Sequence, residues 1–326
     1  MSNAEPNESA QQAARLLGQL RAEIAKAVVG QQEVVEQVLV ALAAGGHVLL
    51  EGVPGIGKTL IARALAKAFR GDAGRIQFTP DLMPADVLGH VLYDARSGDM
   101  SLRKGPIFTH LLLADEINRA PAKTQAALPE AMQERQVTIE GDSLPLPAPF
   151  LTLATQNPIE MEGTYPLPEA QLDRFLLKVR VAYPSESDEI RLAQHVTKGR
   201  VGDGLPLEAV EAIAHPEDVV ALQAAAARVY VDERVAEYAV RIARATRELP
   251  AVSAGAGPRG AIALIRAARG QALLASRVFV TPDDIKAVGP AALRHRILLA
   301  AEAELEGRTS DDVVNEVLAD VEAPRE

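Results

Sequence analysis

The segment Gly52-Val53-Pro54-Gly55-Ile56-Gly57-Lys58-Thr59 constrains this chain more than any other. It fills every fixed position of G-x-x-x-x-G-K-[ST]. An apolar run, His47–Leu50, precedes it. A helical pattern follows from Thr59 to Phe69, with Ile61, Leu65 and Phe69 on one stripe. A strand, a glycine-rich turn and a helix in that order make a phosphate cradle. The glycines let the backbone approach an anion, and the N–H groups of the loop and helix start face it. Lys58 is expected to reach the β- and γ-phosphates, and Thr59 to hold Mg²⁺.

Four more apolar runs read as strands: Arg75–Phe78, Leu111–Ala114, Phe150–Ala154 and Phe175–Val181. Several are continuous rather than alternating, as in a parallel sheet covered on both faces. Strands alternating with helices predict an α/β fold. After Pro184 the texture changes to Ala-rich helical segments near Val219–Val231, Val235–Leu249, Arg259–Ser276, Pro282–Arg296 and Asp311–Val321. No strand is evident there. A core over 1–200 and an all-helical second domain over 201–326 are expected, linked around Gly199–Pro206. At about 100–200 residues per domain, 326 residues accommodate both. The polar first twelve residues are expected to lie outside the ordered body.

Composition narrows the function classes. The net charge is −10, and from Ala301 to Glu326 there are nine acidic and two basic residues, so the rest of the chain is nearly neutral. That is no basic nucleic-acid footprint. Trp is absent and aromatics are 3%, which leaves few base-stacking platforms. No cysteine means no disulfide and no thiolate chemistry. No apolar run approaches the ~18 residues of a membrane span, and the N-terminus lacks a secretory pattern. A cytoplasmic protein without membrane insertion is expected. His47, His90, His110, His195, His215 and His295 show no metal-ligand spacing. The acidic tail reads as a helix capped by Ser310, with Asp311 and Asp312 in its first turn and Val313, Val314, Val317, Leu318 and Val321 on its apolar face.

Four further stretches carry chemistry. Leu111–Ala114 runs into Asp115 and Glu116. After a complete phosphate loop, Asp115 is expected to serve Mg²⁺ and Glu116 to polarise the attacking water, the mark of a hydrolase. Leu151–Gln156 ends at Asn157-Pro158; Asn157 either contacts the γ-phosphate and the water or simply makes a turn before proline. Gln171-Leu172-Asp173-Arg174-Phe175 delivers Arg174 just before a strand, to a local salt bridge or to a neighbour's nucleotide. Gly255-Ala256-Gly257-Pro258-Arg259 opens a helix, with Pro258 suited to the first turn. Arg259 there is either solvated or offset by a phosphate.

The set resembles an AAA+ ATPase of the MoxR type, from about Val28 to Val321. Gly52–Thr59 corresponds to Walker A, and Asp115 with Glu116 to Walker B. Asp115-Glu116-Ile117-Asn118-Arg119-Ala120 and the run Gly163-Thr164-Tyr165-Pro166-Leu167-Pro168-Glu169-Ala170-Gln171-Leu172-Asp173-Arg174-Phe175 carry the resemblance most specifically. Leu293-Arg294-His295-Arg296-Ile297 resembles the family's lid. The resemblance implies a five-stranded parallel sheet followed by a helical lid. It implies an insert near Asp86–Pro106 and a hairpin over Gln136–Pro149, for which Gly141-Asp142 suits the turn. ATP is expected against Val29, Gly30, Gly52, Pro54, Gly55, Ile56, Gly57, Lys58, Thr59, Leu60 and Arg259, with Mg²⁺ at Thr59 and Asp115. Val29 and Gly30 belong to the Val28-Val29-Gly30-Gln31 adenine stretch. Lys58, Glu116, Asn157 and Arg174 are the expected catalytic set, Arg174 acting on the adjacent subunit of a ring, hexameric in the family. The family is associated with chaperone-like maturation of protein complexes, often with metal cofactors and with partners carrying a von Willebrand factor A domain.

Two features depart from that pattern. Pro129 falls inside the helix after Walker B, where an interior proline costs roughly 3 kcal/mol or kinks the helix. Gly260 weakens the start of the helix after Arg259. Alternatives are a magnesium-chelatase-like motor subunit, a nucleic-acid motor and a monomeric small-molecule P-loop kinase.

Overall fold

The computed structural model describes residues 8–53, 55–93, 95–96, 98–158, 163–197 and 205–324. Five strands form its sheet: β1 His47–Glu51, β2 Ala73–Gln77, β3 Leu111–Asp115, β4 Leu151–Gln156 and β5 Phe175–Arg180. Their order is β2-β3-β4-β1-β5, and every pairing is parallel. All five expected strands are present within a few residues of their predicted ends.

Alternation along the strands feeds two cores. Val48, Leu50, Leu111, Leu113, Leu151 and Leu153 enter one apolar cluster. Leu49, Leu112, Ala114 and Ala154 enter the other. Both faces are covered, so the central strands read as continuous apolar runs. The first cluster continues into helices Glu8–Ala25, Gln32–Ala43 and Lys58–Ala68 and the helices beyond residue 205. The second is closed by Ile117, Leu128, Met132 and the hairpin residues Val137 and Ile139.

The helical part contains Pro216–Ala227, Glu233–Ala245, Pro258–Leu274, Pro282–Leu293 and Ser310–Asp320. Its center is Pro258–Leu274, which packs on Pro282–Leu293, Glu233–Ala245 and the core's Gln32–Ala43. Helix Glu8–Ala25 packs on Pro216–Ala227 and on Lys58–Ala68. Core and helical part therefore share one apolar interior. The expected link at Gly199–Pro206 lies outside the described residues up to residue 204.

Several expectations are corrected. The first helix starts at Glu8 and buries Ala10, so residues 8–12 are ordered. The helical part is not free of strand: Val252–Ala254 pairs antiparallel with Leu298–Leu299. These strands are too short to show a period in sequence. Thr309, not Ser310, caps the last helix; its hydroxyl accepts from the Asp312 amide at 3.2 Å, and Asp312 bonds back to the Thr309 amide at 2.8 Å. The hairpin Gln136–Ile139 with Asp142–Pro145 turns on Glu140-Gly141, both at positive φ (49° and 93°), rather than on Gly141-Asp142. The insert is a short helix, Pro84–Leu88, followed by the antiparallel pair Gly89–Tyr93 and Met100–Lys104.

Neither departure strains the fold. The helix after Walker B is two pieces, Ala122–Gln125 and Leu128–Glu134, and Pro129 sits in the first turn of the second. There its missing N–H would have had no partner anyway. Gly260 allows close packing: a Cβ there would lie 2.9 Å from the Ala256 Cβ and 3.3 Å from Leu293.

Candidate active site

Four strand ends meet at the C-terminal edge of the sheet. Beyond β1, Gly55 and Gly57 take φ of 81° and 89°, a backbone that glycine adopts freely. Gly52 is a glycine for a different reason: a Cβ would sit 2.5 Å from the Val181 carbonyl oxygen. Helix Lys58–Ala68 then begins with no side-chain cap, so its first N–H groups are open to an anion. The Lys58 ammonium folds back along the loop and donates to the Gly52 carbonyl at 2.5 Å. Ile56 packs half-buried against the apolar core, and Leu60 is buried beneath the loop. Pro54 lies outside the described residues.

β3 brings in the acids. Asp115 is buried, and its two carboxylate oxygens have separate partners. One accepts from the Thr155 hydroxyl at 2.9 Å. The other accepts from the Thr59 hydroxyl at 3.3 Å and the Arg75 Nε at 2.9 Å. Glu116 follows in left-handed backbone, φ 55°, with its amide donating to Thr155 Oγ1 at 2.9 Å. Its carboxylate accepts from Gln77 Nε2 at 2.7 Å and from Arg119 at 2.9 Å. A left-handed glutamate is uncommon and costs roughly 1–3 kcal/mol.

Asn157 ends β4 between the β1 loop and the β3 acids, buried, its carbonyl accepting from Asn118 Nδ2 at 3.4 Å. The Val28–Gln31 stretch lies beside the segment after β5. Gln31 donates to the Ala182 carbonyl at 2.9 Å, and Gly30 presses on Asp188. That segment also touches Gly52 through Val181. Val29, Gly30, the glycine loop, Thr59, Asp115, Glu116 and Asn157 thus converge on one edge.

A hydroxyl and a carboxylate held together suit a hard cation. Among the described residues no group of three or more His, Cys, Asp or Glu side chains forms a cage. Mg²⁺ needs none; it takes one or two protein oxygens together with phosphate and water. Thr59 and Asp115 fit that demand.

Arg174 and Arg259 are elsewhere. Arg174 precedes β5, and β5 runs parallel to β1 with Phe175 opposite His47. Arg174 therefore stands at the N-terminal edge, while the phosphate loop leaves the C-terminal edge after Glu51. Four strand rises separate those edges by roughly 13 Å. Arg259 joins Arg174 there, ion-paired to Asp173 at 3.3 Å. This contact holds Arg259 at the Arg174 edge rather than beside the phosphate loop of its own chain. Arg296, its side chain only 5% exposed, holds the other Asp173 oxygen at 2.8 Å and donates to the Asp173 and Phe175 carbonyls. Burial pulls the Arg296 pKa down, and Asp173 opposes that pull. Arg174 donates to Gln133 Oε1, and its Nε is buried without a partner among the described residues. These groups line a cleft of about 330 Å³ with Gly45, Gly46 and His47.

Sequence reasoning missed Thr155, Arg75 and Gln77 as parts of the acid site, and Arg296 as the holder of Asp173. Thr155 and Gln77 lie on strands where alternation marks only burial. Their roles arise from register: Gln77 pairs with Asp115 across β2 and β3.

Comparison with known proteins agrees with this architecture. Residues 47–177 match the model of the ATPase family associated with various cellular activities (AAA), and residues 244–317 match the AAA lid domain. A crystal structure of a Cytophaga hutchinsonii protein superposes with TM-score 0.89 at 40% identity, over 98% of each chain. Protein YeaC of Bacillus subtilis is 47% identical over 95% of each chain. Chaperone MoxR1 of Mycobacterium tuberculosis is 43% identical over 93% of this chain and 81% of its own. The chain belongs to the MoxR family of AAA ATPases. Similarity of this MoxR-family protein to the magnesium-chelatase 38 kDa subunit of Acidiphilium rubrum is more distant, 33% over 51% of the chain.

Proposed function

We propose that this MoxR-family ATPase hydrolyses ATP at a site shared between two copies in a ring, and uses the cycle to remodel a client protein complex. The observation that carries this reading is the separation of the site into two halves. The phosphate loop, Asp115, Glu116 and Asn157 occupy one edge of the sheet; Arg174 and Arg259 occupy the opposite edge. Neither arginine serves its own loop across roughly 13 Å. That separation supports a role for each on a neighbour's loop.

The loop amides and Lys58 bind the phosphates, and Thr59 with Asp115 would hold Mg²⁺. The ion, when bound, neutralises charge on the phosphate oxygens. Glu116 takes the proton of the attacking water; Gln77 and Arg119 both donate to its Oε2, which leaves Oε1 to accept that proton. Asn157 orients the water. From the neighbour, Arg174 and Arg259 stabilise negative charge that grows in the transition state; an arginine finger is worth ~10³–10⁵ in rate.

The ring is hexameric in this reading, and the protein works in the cytoplasm. Among the described residues no helix is long and apolar enough to cross a membrane. The chaperone name of MoxR1 supports client remodelling. In the same reading, the partner is a von Willebrand factor A domain protein and the process is metal-cofactor maturation. Core and lid are functional units joined near residue 200.

ATP turnover per subunit, measured against protein concentration, tests the shared site. Turnover should rise with concentration in the wild type and stay near zero in Arg174→Ala. Flat turnover down to the monomer, matched by Arg174→Ala, would sink the reading.

A further inference from the structure

The N-terminal-edge cleft holds more positive charge than Arg174 and Arg259 account for. Arg135, Arg174, Arg259, Arg266 and Arg296 all line it, and Asp173 is the one acid among its described lining residues. Asp173 is already shared by Arg296 and Arg259. Arg266 spends its guanidinium on the Ala44 and Gly45 carbonyls. Arg135 has no hydrogen bond or ion pair from its side chain among the described residues. In a chain of net charge −10, such a surplus is local.

The position of Arg135 is fixed although its head group is not. It ends helix Leu128–Glu134 in left-handed backbone, φ 55°. Its amide donates to the Ala131 carbonyl, and its own carbonyl accepts from the Leu146 amide. The guanidinium is thus presented, exposed, from a backbone tied on both sides. Burial lowers the pKa of both Arg266 and His47; the Arg135 charge nearby adds to both shifts, and Arg266 adds to that of His47. Like charges held together in a partly enclosed cleft repel unless an anion joins them. A helix C-terminus also favours a cation, but the Arg135 side chain makes no bond to the helix carbonyls.

We propose that Arg135 is a third phosphate-contacting residue of the cleft, binding the triphosphate held on the loop of a neighbouring copy alongside Arg174 and Arg259. This rests on the shared-site reading above. It adds a link that the two finger positions lack. Helix Leu128–Glu134 follows the turn that carries Glu116, and Gln125 ties that turn down by donating to the Ile117 and Ala120 carbonyls. Arg135 therefore connects the neighbour's phosphates to the base of its own site.

The test mixes full-length variants. Lys58→Ala empties its own loop but keeps an intact cleft. Arg135→Gln keeps its loop but loses the charge. Alone, Arg135→Gln should turn over ATP about 10²-fold more slowly, as when one charge-stabilising donor is removed, with ATP binding unchanged. Mixed with Lys58→Ala, it should recover activity well above the sum of the two alone, because the partner's cleft then serves its loop. Arg174→Ala with Lys58→Ala is the parallel mixture. If that mixture recovers and the Arg135→Gln mixture does not, the shared site stands and Arg135 is not part of it. If neither recovers, the shared site fails and the proposal fails with it. Wild-type turnover in Arg135→Gln alone also overturns the proposal. Arg135→Lys carries the same left-handed backbone and keeps the charge, so it should retain most of the rate. Equal losses in the Lys and Gln variants, with weakened ATP binding, would mark a folding role and overturn it too.

Discussion

Glu116 and His47 show how single side chains are set by their surroundings. The Glu116 carboxylate is engaged by Gln77 and Arg119, so it is aimed and hydrogen-bonded before any water arrives. Glu116→Gln preserves the shape but cannot take a proton. We expect ATP affinity within a few-fold of wild type and turnover lowered about 10²–10⁴-fold, the usual range for a general base; turnover at the wild-type rate would remove Glu116 from that role. His47 is buried at the start of β1, accepts from the Thr152 amide at 2.9 Å and donates to the Met132 carbonyl at 2.8 Å. Desolvation lowers its pKa from 6.5 to about 4. The neutral ring's contribution is complete above the unfolded value of 6.5 and is lost as pH falls toward and through 4. The difference is about 3 kcal/mol. The urea midpoint should therefore fall between pH 7.5 and 4.5, and His47→Gln should reduce that dependence, the rest coming from groups such as buried His295, which desolvation also holds well below its ordinary pKa. An unchanged slope in the variant would assign the acid sensitivity to other groups.

At the scale of elements, local chemistry was legible where one residue type does one job. The strands stood out because both sheet faces are buried, and the phosphate loop because glycine, lysine and threonine are needed at set spacing. Turn and cap positions were read one residue off. Glu140 rather than Asp142 completes the hairpin turn, since Gly141 follows it and the pair takes two positive φ values. Thr309 rather than Ser310 caps the last helix, since only it stands three residues before Asp312. The helix break before Pro129 is not legible in sequence, because Ala126-Ala127 carries no glycine or proline of its own to announce it. The arginines were the hardest case. The edge at which Arg259 stands is not legible in sequence, because spacing does not say which end of a parallel strand a helix reaches. Pro129→Ala tests the helix break: it should change stability by less than about 1 kcal/mol, because a first-turn proline loses no bond and only restricts the unfolded chain. Stabilisation near 3 kcal/mol, read from denaturant unfolding, would mean that the helix is continuous. Thr309→Ala should cost about 1 kcal/mol through the lost capping box.

For the whole molecule, the two halves of the candidate site face opposite edges of one sheet, so a lone chain is expected to bind ATP far better than it hydrolyses it. Dilution below the assembly threshold should leave nucleotide affinity nearly intact while turnover collapses; parallel loss of both would argue for a site complete within one chain. The Asp173 contact has a wider consequence. One carboxylate on the core is gripped by two arginines from the lid, Arg259 and Arg296. A swing of the lid therefore cannot leave the strand edge unaffected. In a shared-site ring it would drag or release the surface that meets the next copy. Timing would pass around such an assembly mechanically, each copy resetting the clock of its neighbour, and firing would run in sequence rather than at random.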